Sequence, residues 1–116
     1  MSNFTITTAN INGVFIIRPC GYVDEHGGAA IFATVQKALP EGHQKSILNL
    51  AASPVINSQG IAQIIELAEI IVDEKNGELA FTGLSELAGG VFKMVGLLQM
   101  GDAYPSEQQA VEALGN

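Results

Sequence analysis

Hydrophobic positions along this chain switch between a two-residue period and a three-to-four-residue period, and the switches divide it into short strands and helices. Residues Phe4 to Asn10 alternate and are rich in Thr and Ile, the pattern of a half-buried strand. Ile11 and Val14 bracket Asn12-Gly13, a pair that tolerates the positive φ angles of a tight hairpin turn. Val14 to Arg18 supplies the return strand, ended by Pro19, which has no N–H to donate to a ladder. A first helix is predicted from Glu25 to Leu39, with Phe32, Val35 and Leu39 on one face and Pro40-Glu41-Gly42 stopping it. Ser46 to Leu50 is a short apolar run suited to a central strand. Ala51 to Asn57 contains Ser53-Pro54 and reads as a loop, since Pro disfavours helix in the residue before it.

The clearest helix runs from Ser58 to Lys75. Ile61, Ile64, Ile65, Ala68, Ile71 and Val72 form the stripe that a core-facing helix needs, and Glu66, Glu69 and Asp73 lie off it. Asn76-Gly77 marks its exit. Leu79 to Thr82 reads as another short strand. Ser85 can cap a third helix reaching Val95, with Leu87, Val91 and Val95 at four-residue spacing and Gly96 beyond its end. Leu97 to Met100 is expected to be the last strand, and Pro105-Ser106 opens a final helix in which Ser106 and Gln109 have capping-box spacing. The order ββαβαβαβα implies an α/β fold with right-handed crossovers and a mostly parallel central sheet. No internal repeat, linker or low-complexity stretch divides residues 1–116, so a single domain is expected.

Composition narrows the class. Hydrophobic residues make up 47% of the chain, too many for a disordered segment, yet no apolar run approaches the ~20 residues that span a bilayer. The start of the chain has neither the basic nor the apolar stretch of a signal peptide, and the one cysteine, Cys20, permits no intrachain disulfide. A cytoplasmic protein is expected, with Cys20 as a small packed residue. The formal charge of −7 and the scattered positions of Arg18, Lys37, Lys45, Lys75 and Lys93 argue against nucleic acid and anionic lipid surfaces, which are bound through clustered cations.

Candidate chemistry is sparse. His26 and His43 have no Cys or His beside them at ligand spacing, so no metal site is expected. The carboxylates lie mostly on predicted helix faces. Ile56-Asn57-Ser58-Gln59-Gly60 lacks the first glycine of a nucleophile elbow, and no His follows Ser58, so the hydrolase order Ser, acid, His is impossible. Gly27-Gly28 and Gly89-Gly90 belong to no phosphate-binding pattern. The second pair lies inside a predicted helix, where close packing against another element would explain it. No enzymatic activity and no cofactor are expected. What remains is Asn57-Ser58-Gln59-Gly60 at the start of the clearest helix, where either Asn57 or Ser58 could be the N-cap.

The element order, Gly21-Tyr22-Val23-Asp24 ahead of the first helix, and Asn57-Ser58-Gln59-Gly60 ahead of the second together resemble the STAS domain family, in particular its single-domain bacterial anti-sigma factor antagonists. The resemblance covers nearly the whole chain. The family pattern at the second site is Asp-Ser-Ser/Thr-Gly followed by an apolar residue; Gly60-Ile61 matches its end and Ser58 its phosphorylatable serine, whereas Asn57 and Gln59 depart from it. The resemblance implies binding to an anti-sigma factor, often itself a serine kinase, with release when Ser58 is phosphorylated. ATP would be bound by that partner kinase. Asp24, Asn57, Ser58 and Gln59 become the expected partner-binding residues. Two other roles stay open at this level: an unphosphorylated subunit of a stress-signalling scaffold or lipid-transport complex, and a small-ligand binder using the helix N-terminus as an anion site.

Overall fold

The computed structural model describes residues 3–38 and 44–115. The expected end of the first helix at Leu39, its stop at Pro40-Glu41-Gly42, and His43 lie outside the described residues. Strand β1 (Thr5–Ile11) turns through Asn12 and Gly13, at φ 52° and 79°, into β2 (Val14–Cys20). Both turn residues have the positive φ that the Asn-Gly pair accommodates at low cost. Helix α1 (Glu25–Ala38), strand β3 (Lys45–Asn49) and helix α2 (Ser58–Ala68) follow, and α2 runs on as a π-helical segment, Glu69–Glu74. Then come β4 (Glu78–Thr82), α3 (Glu86–Met94), the short α4 (Leu97–Met100), β5 (Asp102–Tyr104) and α5 (Glu107–Leu114).

The five strands form one sheet in the order β1-β2-β3-β4-β5, antiparallel between β1 and β2 and parallel thereafter. Each parallel strand is added on the same side as the one before it, so right-handed crossovers carry α1, α2 and α3 to one face. Ile17, Leu48 and Phe81 meet Val35, Ile64, Ile71 and Phe92 there. The alternate strand residues Val14, Ile16, Ile47 and Ala80 meet Ala110, Val111 and Leu114 of α5 on the other face. β3 and β4 are therefore covered on both sides, which is why their sequences are short uninterrupted apolar runs. Pro19 is tolerated inside β2 because the parallel ladder to β3 ends at Ile17.

On the α5 face, Arg18 of β2 donates to both carboxylate oxygens of Glu107, at 2.9 and 2.7 Å, and Asn49 of β3 donates to the same group at 2.7 Å. The hydrogen bonds from Arg18, and secondarily from Asn49, hold the Glu107 carboxyl below its ordinary value of 4.5, against the opposing effect of burial. A depressed folded-state pKa gives stability that is present above the unfolded value and lost as pH falls through the folded one. Arg18, its own pKa raised by the pair, stays charged throughout. Glu107→Gln is thus expected to lower stability by about 1 kcal/mol near neutral pH, the pair being partly exposed. That difference should shrink as the pH falls below the usual carboxylate range and the Glu107 carboxyl takes up its proton, as read by thermal unfolding of both proteins across pH.

Five expectations need correction. The apolar run Leu97–Met100 is helix α4 rather than the last strand. Gly96, at φ 86°, turns the chain so that Leu97 is buried. The strand itself is Asp102–Tyr104, which sits at the sheet edge and carries no apolar signature. In α3 the buried residues are Ala88 and Phe92, not Leu87, Val91 and Val95; Phe92 is the bulkiest side chain available and meets Phe81 edge-on with ring centroids 5.1 Å apart. Close packing does not explain Gly89 and Gly90: a Cβ on either would meet no atom of the described residues within 4 Å. Cys20 is exposed, because the alternation of β2 buries Pro19 and turns the next residue outward at the strand's end. The face of α1 is also shifted by one position, with Ile31 buried and Phe32 only half-buried.

Candidate functional site

The segments that follow β2 and β3 lie side by side at one end of the sheet, and backbone hydrogen bonds extend the parallel pairing into them. Gly21 N donates to Ala52 O at 3.0 Å, Val23 N to Val55 O at 3.1 Å, and Asn57 N to Val23 O at 3.0 Å. Each segment then delivers a helix cap. Asp24 Oδ1 accepts from Gly27 N at 2.9 Å, and Asn57 Oδ1 accepts from Gly60 N at 2.8 Å. The Gly27 N–H is also the main reason that the Asp24 carboxyl sits below its usual range. The two helix starts are pressed together through glycines. A Cβ on Gly60 would collide with the carbonyl oxygen of Val23, and one on Gly28 would lie 2.9 Å from Cβ of Gln63 and 3.2 Å from Cα of Gly60. Gly60 is therefore required by close backbone approach rather than by its torsion angles.

Asn57, not Ser58, is the N-cap of α2. Ser58 is the first helical residue and is exposed, as is Gln59. The donors of this first turn can be counted. Asn57 N–H is taken by Val23, Gly60 N–H by the Asn57 side chain, and Ile61 N–H by Asn57 O. The N–H groups of Ser58 and Gln59 remain for solvent or an anion, at the positive end of the helix dipole. Replacing Asn57 by Ala removes the cap without touching Ser58 and is expected to cost about 1 kcal/mol of stability. Asn57→Asp should retain it, and urea unfolding of the two variants checks both.

Of the residues singled out by sequence, the structure brings Asn57, Ser58 and Gln59 together on the first turn of α2 and places Asp24 at the start of α1, on the neighbouring segment joined through Val23. Sequence reasoning missed what lies beside them. Ser58 edges an open groove of about 420 Å³ lined by Ile56, Ile61, Ala62 and Ile65 together with Val91 and Val95 of α3. Ser85 fixes α3 there by donating to Pro54 O at 2.9 Å while capping Ala88 N at 3.1 Å. Tyr22 and Val55, on the two paired segments, are exposed as well. The missed signal was the second four-residue row on α3: Ala88 and Phe92 compete with Leu87 and Val91 for the core, and one helix cannot bury both rows. Among the described residues no group of His, Cys, Asp and Glu is arranged to hold a metal ion, and no helix is long and apolar enough to cross a membrane.

Comparison with known proteins places this geometry. Residues 5–110 match the family model described as the STAS domain. Comparison with curated proteins gives no match. Among solved structures, the chain is similar to an anti-sigma factor antagonist from Mycobacterium paratuberculosis, with 16% identity and a TM-score of 0.85, covering 98% of this chain and 96% of that one. It is similar to an anti-sigma factor antagonist domain protein from Planctomyces limnophilus at 16% identity and a TM-score of 0.80, covering 96% and 98%. The Bacillus cell fate determinant SpoIIAA in its phosphorylated form aligns at 20% identity and a TM-score of 0.72, covering 95% and 97%. With the family model spanning all five strands and the caps of both helices at the site, this chain belongs to the STAS domain family.

Proposed function

We propose that this chain is a protein-binding regulatory switch of the cytoplasm, an anti-sigma factor antagonist that binds an anti-sigma factor with serine kinase activity and is released when Ser58 is phosphorylated. The observation that carries this reading is the division of labour at the start of α2. Asn57 supplies the cap, so the fold makes no demand on the Ser58 hydroxyl, which is exposed on the first turn beside an apolar groove. A phosphate there adds roughly −1.5 to −2 charges. The uncommitted N–H groups of Ser58 and Gln59 can receive them, so the modification is directed at the interface and not at the fold. The likeness to antagonists, one of them solved in a phosphorylated form, supports the same reading. Asp24, Asn57 and Gln59 are the further contact residues in this proposal, and the kinase brings its own ATP.

A second reading is favoured by one observation. Asn57 retains the cap without the negative charge that the family pattern carries at this position, and Gln59 replaces a hydroxyl residue. An unphosphorylated subunit of a signalling scaffold or a lipid-transport complex would tolerate both changes. Affinity capture from the native host with wild-type and Ser58→Glu baits separates the two. The switch reading expects an ATP-binding kinase or anti-sigma factor on the wild-type bait and its loss from Ser58→Glu. Identical retention of scaffold or transporter subunits by both baits contradicts it.

A further inference from the structure

Helix α3 carries its second apolar row on the outside. Leu87 is 70% exposed, Met94 84% and Val95 41%, and Val91 is half-buried between them. Leu87, Gly90, Val91 and Met94 follow one another at the spacing of a single helix face. That face is long enough to lay against another helix, and none of the described residues covers it. Gly89 and Gly90 interrupt the helix at its middle with open space where a Cβ would stand, although each weakens the helix relative to Ala. The chain's own packing gives them no steric role. Gly90 leaves a bare backbone in the middle of that exposed apolar face and permits close approach by a second element.

We propose that the outer face of α3, with the groove it forms against α2, docks an amphipathic helix of a partner protein whose apolar side crosses Gly90 and whose flanks are basic. Charge decides the occupant. Exposed Glu66 and Glu69 follow the groove residues Ala62 and Ile65 by one turn, and Glu86 is exposed at the start of α3. Against these, Lys93 is the one cation on α2 and α3. A second copy of this chain would bring a formal charge of −7 against −7 and one acidic rim against another. The proposal rests on the protein-binding reading above but not on phosphorylation, since its central contacts are on α3, across the groove that Ser58 edges.

The test uses the full chain labelled with 15N and a synthetic helical peptide of about 18 residues, with Leu at one-face spacing and Lys elsewhere. Two controls accompany it: the same composition scrambled, and Glu in place of Lys. The ordered basic peptide is expected to bind at least about tenfold more tightly than either control, with chemical-shift changes centred on Leu87, Gly90, Val91, Met94 and Val95. A Gly89→Gln, Gly90→Gln double variant is expected to lose at least about tenfold in that affinity while its Tm rises by several degrees, because the added side chains meet nothing in the chain itself. Shifts centred elsewhere, equal binding of the scrambled peptide, or full binding by the more stable double variant each overturn the proposal. So does a dimer of the wild type, seen by sedimentation, that the double variant abolishes. Ser58→Glu, carried through the same titration, keeps the two readings apart: an α3 failure leaves any Ser58 dependence of partner capture unaffected.

Discussion

Replacing Gly60 by Val is expected to destabilise the domain by about 3 kcal/mol or more, a large share of the roughly 5–15 kcal/mol that a domain of this size has. The new Cβ would run into the carbonyl oxygen of Val23, and the Val23 and Ile56 side chains stand 3.0 Å from the same point. Neither side can give way cheaply. Val23 is tied by its N–H to Val55 and by its carbonyl to Asn57 N, so moving α2 outward breaks the hydrogen bonds that join the two loops. The glycine contact with Gly28 across the helix pair would open at the same time. Urea unfolding followed by circular dichroism checks this. A loss under about 1 kcal/mol would show that α2 can shift at its first turn, and the rigid presentation of Ser58 would have to be abandoned.

Ser58→Glu is the counterpart, with a large effect on binding and almost none on folding. A carboxylate at the first position of α2 faces the unpaired N–H groups of the turn and the positive end of the dipole, an arrangement worth about 0.3–1 kcal/mol in favour of the fold. The Tm is therefore expected to stay level or rise slightly. Affinity for the partner is expected to fall by about 100-fold, about 2.7 kcal/mol, because a charge is forced into a contact that includes the apolar groove beside Ser58. A variant that melted well below the wild type would show that the serine serves the fold after all.

Much of this was legible in the chain itself, for identifiable reasons. The Asn12-Gly13 hairpin and the doubly buried β3 and β4 are local patterns that form within a residue of where the pattern places them, and the α2 stripe holds at Ile61, Ile64, Ala68 and Ile71, with Leu67 buried where Ile65 was expected. The STAS resemblance rested on the Gly21 to Asp24 and Asn57 to Gly60 segments, and these are the two that the sheet brings together. What could not be read was decided by competition between elements. The α3 sequence contains two equally spaced rows, and only contact with Phe81 selects Phe92 for the core. Leu97 to Met100 is apolar enough for a strand, but the sheet edge is filled by Asp102 to Tyr104 through backbone pairing alone, which leaves no mark in side-chain pattern. The groove and the exposed face of α3 were hidden for the same reason. The identity of the cap was ambiguous between Asn57 and Ser58 until geometry assigned it to Asn57.

The most direct test of the central claim compares the captured partner's affinity for the unmodified chain and for the chain carrying phosphoserine at position 58, by isothermal titration, with the Tm of both forms recorded alongside. The switch account predicts that phosphorylation weakens binding by about 100-fold or more while the Tm holds or rises. Affinities equal within a factor of about two would contradict it, leaving Ser58 as no more than the first residue of a helix that Asn57 caps.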